Sequence, residues 1–209
     1  MTKVAFLGTG LLGSAMVEGM LRRGESLTVW NRTESKARAL ERLGAAVAAT
    51  PGDAVAGAER VHMTFSDDAV VDRVLAETVP RLEPRAVVID HTTTSPRGTA
   101  ARYAQMRAAG VTFLHAPVFM SPQMARDSVG IVMTSSPEAA FEQVRGPLQQ
   151  MTGEAWYLGD DPQRAAAYKL FGNSMLFVIA AGVADVFAMA KVFGIAGSLH
   201  HNLIRNFFA

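Results

Sequence analysis

The sequence contains no cysteine. That excludes disulfides, thiolate catalysis and cysteine-ligated metal, and it agrees with a reducing cytoplasmic setting. It also lacks a charge imbalance. Twenty Lys and Arg stand against nineteen Asp and Glu, for a net charge of +1. No bulk field therefore draws the chain to nucleic acid or to an anionic membrane. No secretory leader is evident, because the start "MTKVAFLGTG" carries one lysine and its short apolar run breaks on glycine. Long hydrophobic runs are scarce as well. Ser174–Ala190 approaches membrane-spanning length, but Asp185 interrupts it and Lys191 follows. The expectation is a buried helix and no membrane partner. A hydrophobic fraction of 49% with 19% charged residues fits an ordinary globular chain, and 209 residues suffice for one or two domains.

What is present begins with glycine. Gly8, Gly10 and Gly13 form G-x-G-x-x-G directly after the apolar run Val4–Leu7 and directly before a helical pattern. Glycine weakens strands and helices, so three of them here call for a reason. In a dinucleotide-binding turn the first permits the tight turn, the second lets a pyrophosphate approach the backbone, and the third lets helix pack on strand. The following helix, opening at Leu11 and Leu12, offers its unpaired N–H groups and positive dipole end to phosphate.

The remaining pattern alternates. Strands are expected at Lys3–Leu7, Ser26–Trp30, Arg60–Phe65, Ala86–Ile89, Val111–Leu114, Gly130–Met133 and Ala155–Leu158. Helices are expected at Leu11–Arg23, Glu34–Leu43 with Thr33 as cap, a short one capped by Thr50, Asp67–Glu77, one from Pro96 toward Ala109 capped by Ser95, and Pro137–Gln150. Short, continuously apolar strands with short connections predict a largely parallel, doubly wound α/β sheet covered on both faces, of Rossmann type. After Gly159 the pattern changes. With Asp161 as cap and Pro162 at its first position, one helix runs toward Gly194. Thirty-two helical residues would span about 48 Å, too long for one small domain. The division expected is therefore residues 1–160 as a nucleotide-binding domain, and 161–209 as a long interdomain helix and the start of a helical region.

A carboxylate is missing where it would matter. An acidic residue at the end of the second strand binds the ribose 2′-hydroxyl in NAD sites. Here the strand ends "TVWNRT", so Asn31, Arg32 and Thr33 take the place. Arg32 can pair a 2′-phosphate through two parallel hydrogen bonds, and Lys36 lies one turn further. This points to NADP(H).

Five segments, "FLGTGLLGSAMVEGML", "FSDDAVVDRVL", "VIDHTTTSP", "HAPVFMSP" and "YKLFGNSM", occur in an order that resembles the β-hydroxyacid dehydrogenases. This group contains the 3-hydroxyisobutyrate dehydrogenases and the glyoxylate and succinic semialdehyde reductases, and the imine reductases are related to it. The resemblance implies an NADP-dependent oxidoreductase acting on a small carbonyl or 3-hydroxy acid. It places Phe65 and Ser66 beside the cofactor, Thr93 near the nicotinamide and ribose, Lys169 as the catalytic lysine and Asn173 as its partner. Positions i and i+4 share a helix face, in keeping with joint action on one ligand. The resemblance also implies a further helical domain, of which only the start is expected here. Leu170, Phe177, Ile179, Val183, Phe187 and Phe193 are spread around the long helix rather than along one stripe, so it is expected to be buried against the same helix of a second chain, in a cytoplasmic homodimer.

The chain departs from that pattern. Phe119, Met120 and Ser121, followed by Pro122, stand where the family has a Ser-Gly-Gly element that receives the substrate carboxylate. The glycines before the catalytic lysine are reduced to Gly159. Two rival readings stay open, an imine reductase and a non-catalytic NADPH-binding protein. No metal site is expected, since adjacent His200 and His201 diverge on a helix. His115 is expected at the site edge as a structural or pocket-lining residue, and His62 and His91 have no motif to support catalysis.

Overall fold

The computed structural model describes residues 2–208, apart from the side chains of His200, Ile204, Phe207 and Phe208. The His200 half of the adjacent histidine pair thus lies outside the described side chains. Two compact units are present, residues 1–169 and 170–209.

In the first unit, a six-stranded parallel sheet has the order β3-β2-β1-β4-β5-β6. Its strands are β1 (Val4–Leu7), β2 (Leu27–Trp30), β3 (Ala46–Val47), β4 (Arg60–Met63), β5 (Val87–Asp90) and β6 (Thr112–His115). The order reverses between β1 and β4, so a crevice opens at their carboxyl ends. Both faces are covered, which explains the unbroken apolar runs. Val4 and Phe6 join one core cluster with Met16, Met20, Phe141 and Leu148, whereas Ala5 and Leu7 point into the other with Val61, Val71, Leu75 and Phe113.

The first cluster is roofed by α1 (Leu11–Arg22) and α7 (Glu138–Thr152), the second by α3 (Pro51–Val55), α4 (Asp68–Thr78) and α5 (Pro96–Ala108). The expected caps at Thr50 and Ser95 form, accepting the N–H groups of Asp53 at 3.1 Å and Gly98 at 3.0 Å. The expected helix Glu34–Leu43 does not hold. The α-helix α2 spans only Glu34–Arg38, and a 3-10 turn covers Glu41–Leu43. Only Ala37 and Leu40 of this segment are buried, too narrow an apolar stripe to hold ten residues against the core. Thr33 makes no side-chain cap either; its backbone carbonyl accepts the Lys36 N–H at 3.0 Å, and the hydroxyl is left over.

A second, three-stranded sheet was not separable by periodicity. Here β7 (Val118–Phe119) runs antiparallel to β8 (Ile131–Thr134), and β8 parallel to β9 (Glu154–Tyr157). Between β7 and β8 lies α6 (Pro122–Arg126), set against α1 so closely that a Cβ on Gly19 would stand 2.7 Å from the Ala125 carbonyl oxygen. Glu18 and Arg126 pair across this contact at 2.7 Å. Two-residue strands and a five-residue helix leave too little pattern in a sequence to be read.

The long helix α8 (Arg164–Val192) begins in the first unit and makes up most of the second, with α9 (Gly197–Phe208). It starts with Asp161 Oδ1 accepting the Gln163 N–H at 3.0 Å and stops before Gly194, at φ +66°. By length and composition it could cross a membrane. Its apolar side chains beyond Lys169 are largely exposed in the single chain, Phe177 by 76% and Val192 by 83%, so the burial expected of it does not come from the described residues.

Two histidines are fully buried beneath the sheet. The Arg60 guanidinium, salt-bridged to Glu25, donates from Nε to His62 Nε2 at 2.9 Å; His62 Nδ1 lies 2.9 Å from His91 Nε2, and His91 Nδ1 lies 2.7 Å from the Ala116 carbonyl oxygen. Arginine can only donate. Each step then fixes the next, so both rings are neutral, each carrying its proton on Nδ1 and accepting on Nε2. Burial pushes both pKa values down, that of His91 to about 4 and that of His62 well below its ordinary value, with the neighbouring ring adding to the effect at His62. The unfolded chain takes up these protons near pH 6.5 and the native chain does not. Stability is therefore full above pH 6.5 and is lost as pH falls toward 4, at about 1.4 kcal/mol per pH unit per histidine. Denaturant titrations at pH 7 and pH 5 are expected to differ by at least about 2 kcal/mol, with exposed carboxylates still ionised. A flat profile over that interval would show that the two rings are solvated.

Candidate functional site

The crevice at the strand ends is a cleft of about 500 Å³. All eleven cofactor residues expected from the sequence line it: Gly8, Gly10, Leu11, Leu12, Gly13, Asn31, Arg32, Thr33, Phe65, Ser66 and Thr93. The three glycines serve three different geometric needs. Gly8 sits at φ +93°, and a Cβ there would lie 2.1 Å from the Thr64 carbonyl oxygen. At Gly13 a Cβ would lie 2.0 Å from the Gly8 carbonyl oxygen, so helix α1 could not rest on the turn. A Cβ on Gly10 would meet nothing within 4 Å. Gly10 is thus not needed by the protein's own packing. It is needed only if something else comes close from the cleft side.

Gly10 is also the residue before α1, and no side chain caps that helix. The first N–H groups of a helix have no intrahelical acceptor and carry the positive end of its dipole. An uncapped N-terminus opening on a Cβ-free approach fits the pyrophosphate of a dinucleotide.

The walls are braced by side-chain bonds, some of them made by the lining residues Asn31 and Thr92. Asn31 Oδ1 accepts the Thr9 N–H at 3.0 Å while its Nδ2 donates to the Thr33 carbonyl at 2.9 Å, tying the glycine turn to the end of β2. With both ends of its amide engaged, Asn31 positions the rim. Thr92 Oγ1 accepts the Phe65 N–H at 3.0 Å and its own N–H donates to Asp90 at 2.9 Å, which joins the loops after β4 and β5. Asp68 Oδ2 accepts the Ser95 N–H at 2.9 Å, and its other oxygen takes the Arg102 guanidinium at 3.0 Å. Arg102 is 1% exposed and bonds Asp72 as well, at 2.7 Å.

His115 is not at the site edge. It is buried, with Nδ1 3.6 Å from Asp90 Oδ2. Its place in β6, register-paired with Asp90, carries the ring into the core. Burial raises the Asp90 carboxyl, but the nearby His115 ring and the Thr92 hydrogen bond outweigh it, and the pKa falls below the ordinary value. His91 does line the cleft. Both its nitrogens are engaged beneath, so it can offer the cleft only carbon and cannot act as a base.

The cleft is electrically one-sided. Lys36 and Arg73 line it beside Arg32, and no carboxylate does. None of the three cations makes an ion pair among the described residues. Arg73 was not singled out from the sequence; its signal was its place one turn beyond Val70, which shares the cleft.

The residues expected around the substrate gather elsewhere in the first unit. Lys169 Nζ lies 3.9 Å from the centroid of the Phe119 ring. Half-burial lowers the pKa of its ammonium below the ordinary lysine value. Ser121 Oγ accepts the Met124 N–H at 3.2 Å as the cap of α6, and Met120 packs against the core edge. None of these four is among the residues lining the 500 Å³ cleft. Asn173 falls in the second unit. Among the described residues no group of His, Asp or Glu is arranged to hold a metal ion.

Residues 3–159 match the family model for the NAD binding domain of 6-phosphogluconate dehydrogenase. Among curated proteins, the cytokine-like nuclear factor N-PAC of Xenopus tropicalis is 29% identical over 196 residues, covering 92% of this chain and 36% of that protein. The chain thus spans about a third of the length of such relatives. Among solved structures, a 3-hydroxyisobutyrate dehydrogenase of Mycobacterium tuberculosis with L-serine superimposes with a TM-score of 0.91 at 25% identity, over 99% of this chain and 70% of that one. An imine reductase of Myxococcus stipitatus in complex with NADP+ gives 0.90 at 25% identity, over 97% and 71%. The glycine turn, the 3-2-1-4-5-6 strand order and these similarities agree: the chain belongs to the family of the NAD binding domain of 6-phosphogluconate dehydrogenase, within the β-hydroxyacid dehydrogenases.

Proposed function

We propose that the protein is an NADPH-dependent reductase of small carbonyl compounds, with Lys169 as its proton donor. The observation that carries the cofactor assignment is the cleft rim, where Arg32, Lys36 and Arg73 form no ion pair among the described residues and no carboxylate lines the cleft. An acidic residue at the end of β2 would repel a 2′-phosphate; Arg32 and the Thr33 hydroxyl attract it. When bound, the nicotinamide supplies the hydride. The chain's part is to receive the charge that develops on the carbonyl oxygen. Lys169 is suited to this, because its ammonium is half withdrawn from water and has no carboxylate partner among the described residues. A cation in such surroundings stabilises an oxyanion and is a better acid than a solvated lysine. Asn173, one turn along α8, would orient the substrate.

Phe119, Met120 and Ser121 support a substrate without a small carboxylate. Phe119 and Met120 are apolar, Pro122 has no N–H, and Ser121 already caps α6. This apolar wall also favours the second reading, an imine reductase. The similarity to N-PAC keeps a non-catalytic NADPH-binding role as the third. In the first reading the protein is soluble and cytoplasmic, its apolar long helix covered by the same helix of a second chain about a two-fold axis.

Calorimetric titration is expected to show tighter binding of NADPH than of NADH. Arg32→Ala should remove roughly tenfold to 150-fold of that preference, the worth of one charged hydrogen-bonded contact. Gly10→Ala should leave the melting temperature nearly unchanged and weaken both cofactors, since its methyl enters only the cleft. Equal affinities in the unmodified protein would refute the NADPH assignment.

Lys169→Ala should lower turnover on the best aldehyde by roughly 10²–10⁴-fold with NADPH affinity unchanged, and Lys169→Arg should not restore it, guanidinium being a poor acid. NADPH oxidation against aldehydes, against ketone with amine, and against neither separates the three readings. A fully active Lys169→Ala protein would remove the lysine from the mechanism.

Light scattering at micromolar concentration should give the mass of a dimer. A stable soluble monomer, or partition into lipid vesicles, would overturn the helix-to-helix pairing.

A further inference from the structure

We propose that Phe119 is the positioning residue of Lys169, its ring face holding the lysine ammonium in the place where other members of the family have a small hydroxyl residue. The proposal rests on the reading of Lys169 as proton donor, and it adds a role that the substitution of Phe119 would otherwise lack.

The geometry is that of a cation on an aromatic face, with Nζ 3.9 Å from the ring centroid, well inside the range at which the ring quadrupole attracts an ammonium. A half-buried lysine ordinarily finds a carboxylate. The Lys169 ammonium forms no hydrogen bond or ion pair among the described residues, so the ring takes over that role. The other cation at the start of α8, Arg164, is turned to the Leu158 carbonyl at 2.5 Å.

Both partners are fixed to the same small sheet. Phe119 is paired with Ile131 across β7 and β8, and its neighbour Val118 is 4% exposed in the core. Alternation along a strand therefore turns the Phe119 ring to the other face. The backbone at this point is closely held. Gly130, at φ +123°, lies so near that a Cβ would stand 2.9 Å from both the Phe119 carbonyl oxygen and Met120 Cβ. On the lysine side, the first turn of α8 is pinned where the Ala165 N–H donates to Ser135 Oγ at 2.9 Å, just past β8, and Ala165 and Ala166 are buried. The contact joins two anchored elements and is more than a chance meeting of flexible side chains.

Its chemical effect follows from two opposing influences. Withdrawal from water favours the neutral amine and makes the ammonium a readier acid. The ring face favours the ammonium without supplying a negative charge to compete for its proton. Lys169 thus stays protonated until an oxygen acceptor arrives, with a fixed direction in which to give the proton up. A carboxylate partner would hold the proton harder, and a leucine would hold neither the charge nor the direction.

Competitive labelling of amines with acetic anhydride across a pH series, read by mass spectrometry on the Lys169 peptide, gives the ionisation midpoint of this lysine without any turnover. In Phe119→Leu the midpoint is expected to fall by roughly 0.4 to 1.5 pH units, the range set by aromatic–cation contacts, and in Phe119→Tyr to return to the original value. The same leucine variant should lose turnover about tenfold or more while KM and NADPH affinity stay within about twofold, with tyrosine restoring the rate. If Phe119→Leu does not fold, as judged by its melting curve, Phe119→Met poses the same question with a flexible thioether. An unmoved labelling midpoint in the folded leucine or methionine variant would overturn the proposal, even where Lys169→Ala is inactive. A shifted midpoint alongside an active Lys169→Ala would support the ring–lysine contact and sink the donor reading instead.

Discussion

The structure depends on one close approach, the contact of helix α1 with the turn that feeds it. At Gly13 the helix comes so near the Gly8 carbonyl that a methyl group would stand 2.0 Å from the oxygen. Because α1 can sit there, Met16, Val17 and Met20 reach the core face of the sheet, and its far side can take α6 and the second sheet through Gly19. The same approach aims the uncapped end of α1 into the crevice between β1 and β4. Fold and cleft are thus set by one constraint, and the glycine motif is a packing requirement at two positions and leaves the third, Gly10, open to the cleft.

The rest of the cleft is held by polar bonds that tie its loops together. Asn31, Thr92 and Asp68 each tie one loop to another, and Arg102, almost wholly buried, gathers Asp68 and Asp72 from α4. Such a buried cation is tolerated only because carboxylates meet it. Removing one partner would leave a charge stranded in low dielectric, so this brace couples α4, α5 and the loop carrying Thr93 into one frame. A preorganised frame lets a ligand bind without first ordering the loops that receive it.

The sequence carried the larger features because they repeat. Two-sided burial writes itself as unbroken apolar strands, caps as Thr50 and Ser95, and the dinucleotide turn as three glycines at fixed spacing. What it could not show lacks a period or a local partner. Val118–Phe119 is too short to alternate visibly, and the 3-10 turn after Arg38 follows from an apolar stripe that is merely too narrow. Its place before a helical pattern marks Thr33 as a cap, yet its hydroxyl is left to the cleft. The end of a strand puts His115 at the site edge, yet sheet register places it against Asp90 in the interior. The His62–His91 chain joins residues far apart in the sequence, and only pairing of β4 with β5 brings them together. Arg73 was hidden for the same reason, since its helix enters the cleft wall from the second core layer.

Charge is sorted by its surroundings, which is how a chain with a net charge of only +1 can still present a cationic site. Its most deeply buried cation, Arg102, is matched to carboxylates. Arg60, partly buried, is salt-bridged to Glu25 and spends its Nε proton on His62. Those two cations are structural, and nothing of their charge is left for a ligand. Arg32, Lys36 and Arg73 are exposed and form no ion pair among the described residues, so a phosphate arriving among them would break no salt bridge and would meet three positive groups. Lys169 stands between these cases, half withdrawn from water and met by an aromatic face in place of an anion. An ammonium balanced in that way is neither locked into the structure nor free in solvent, and that intermediate state is what a proton donor requires.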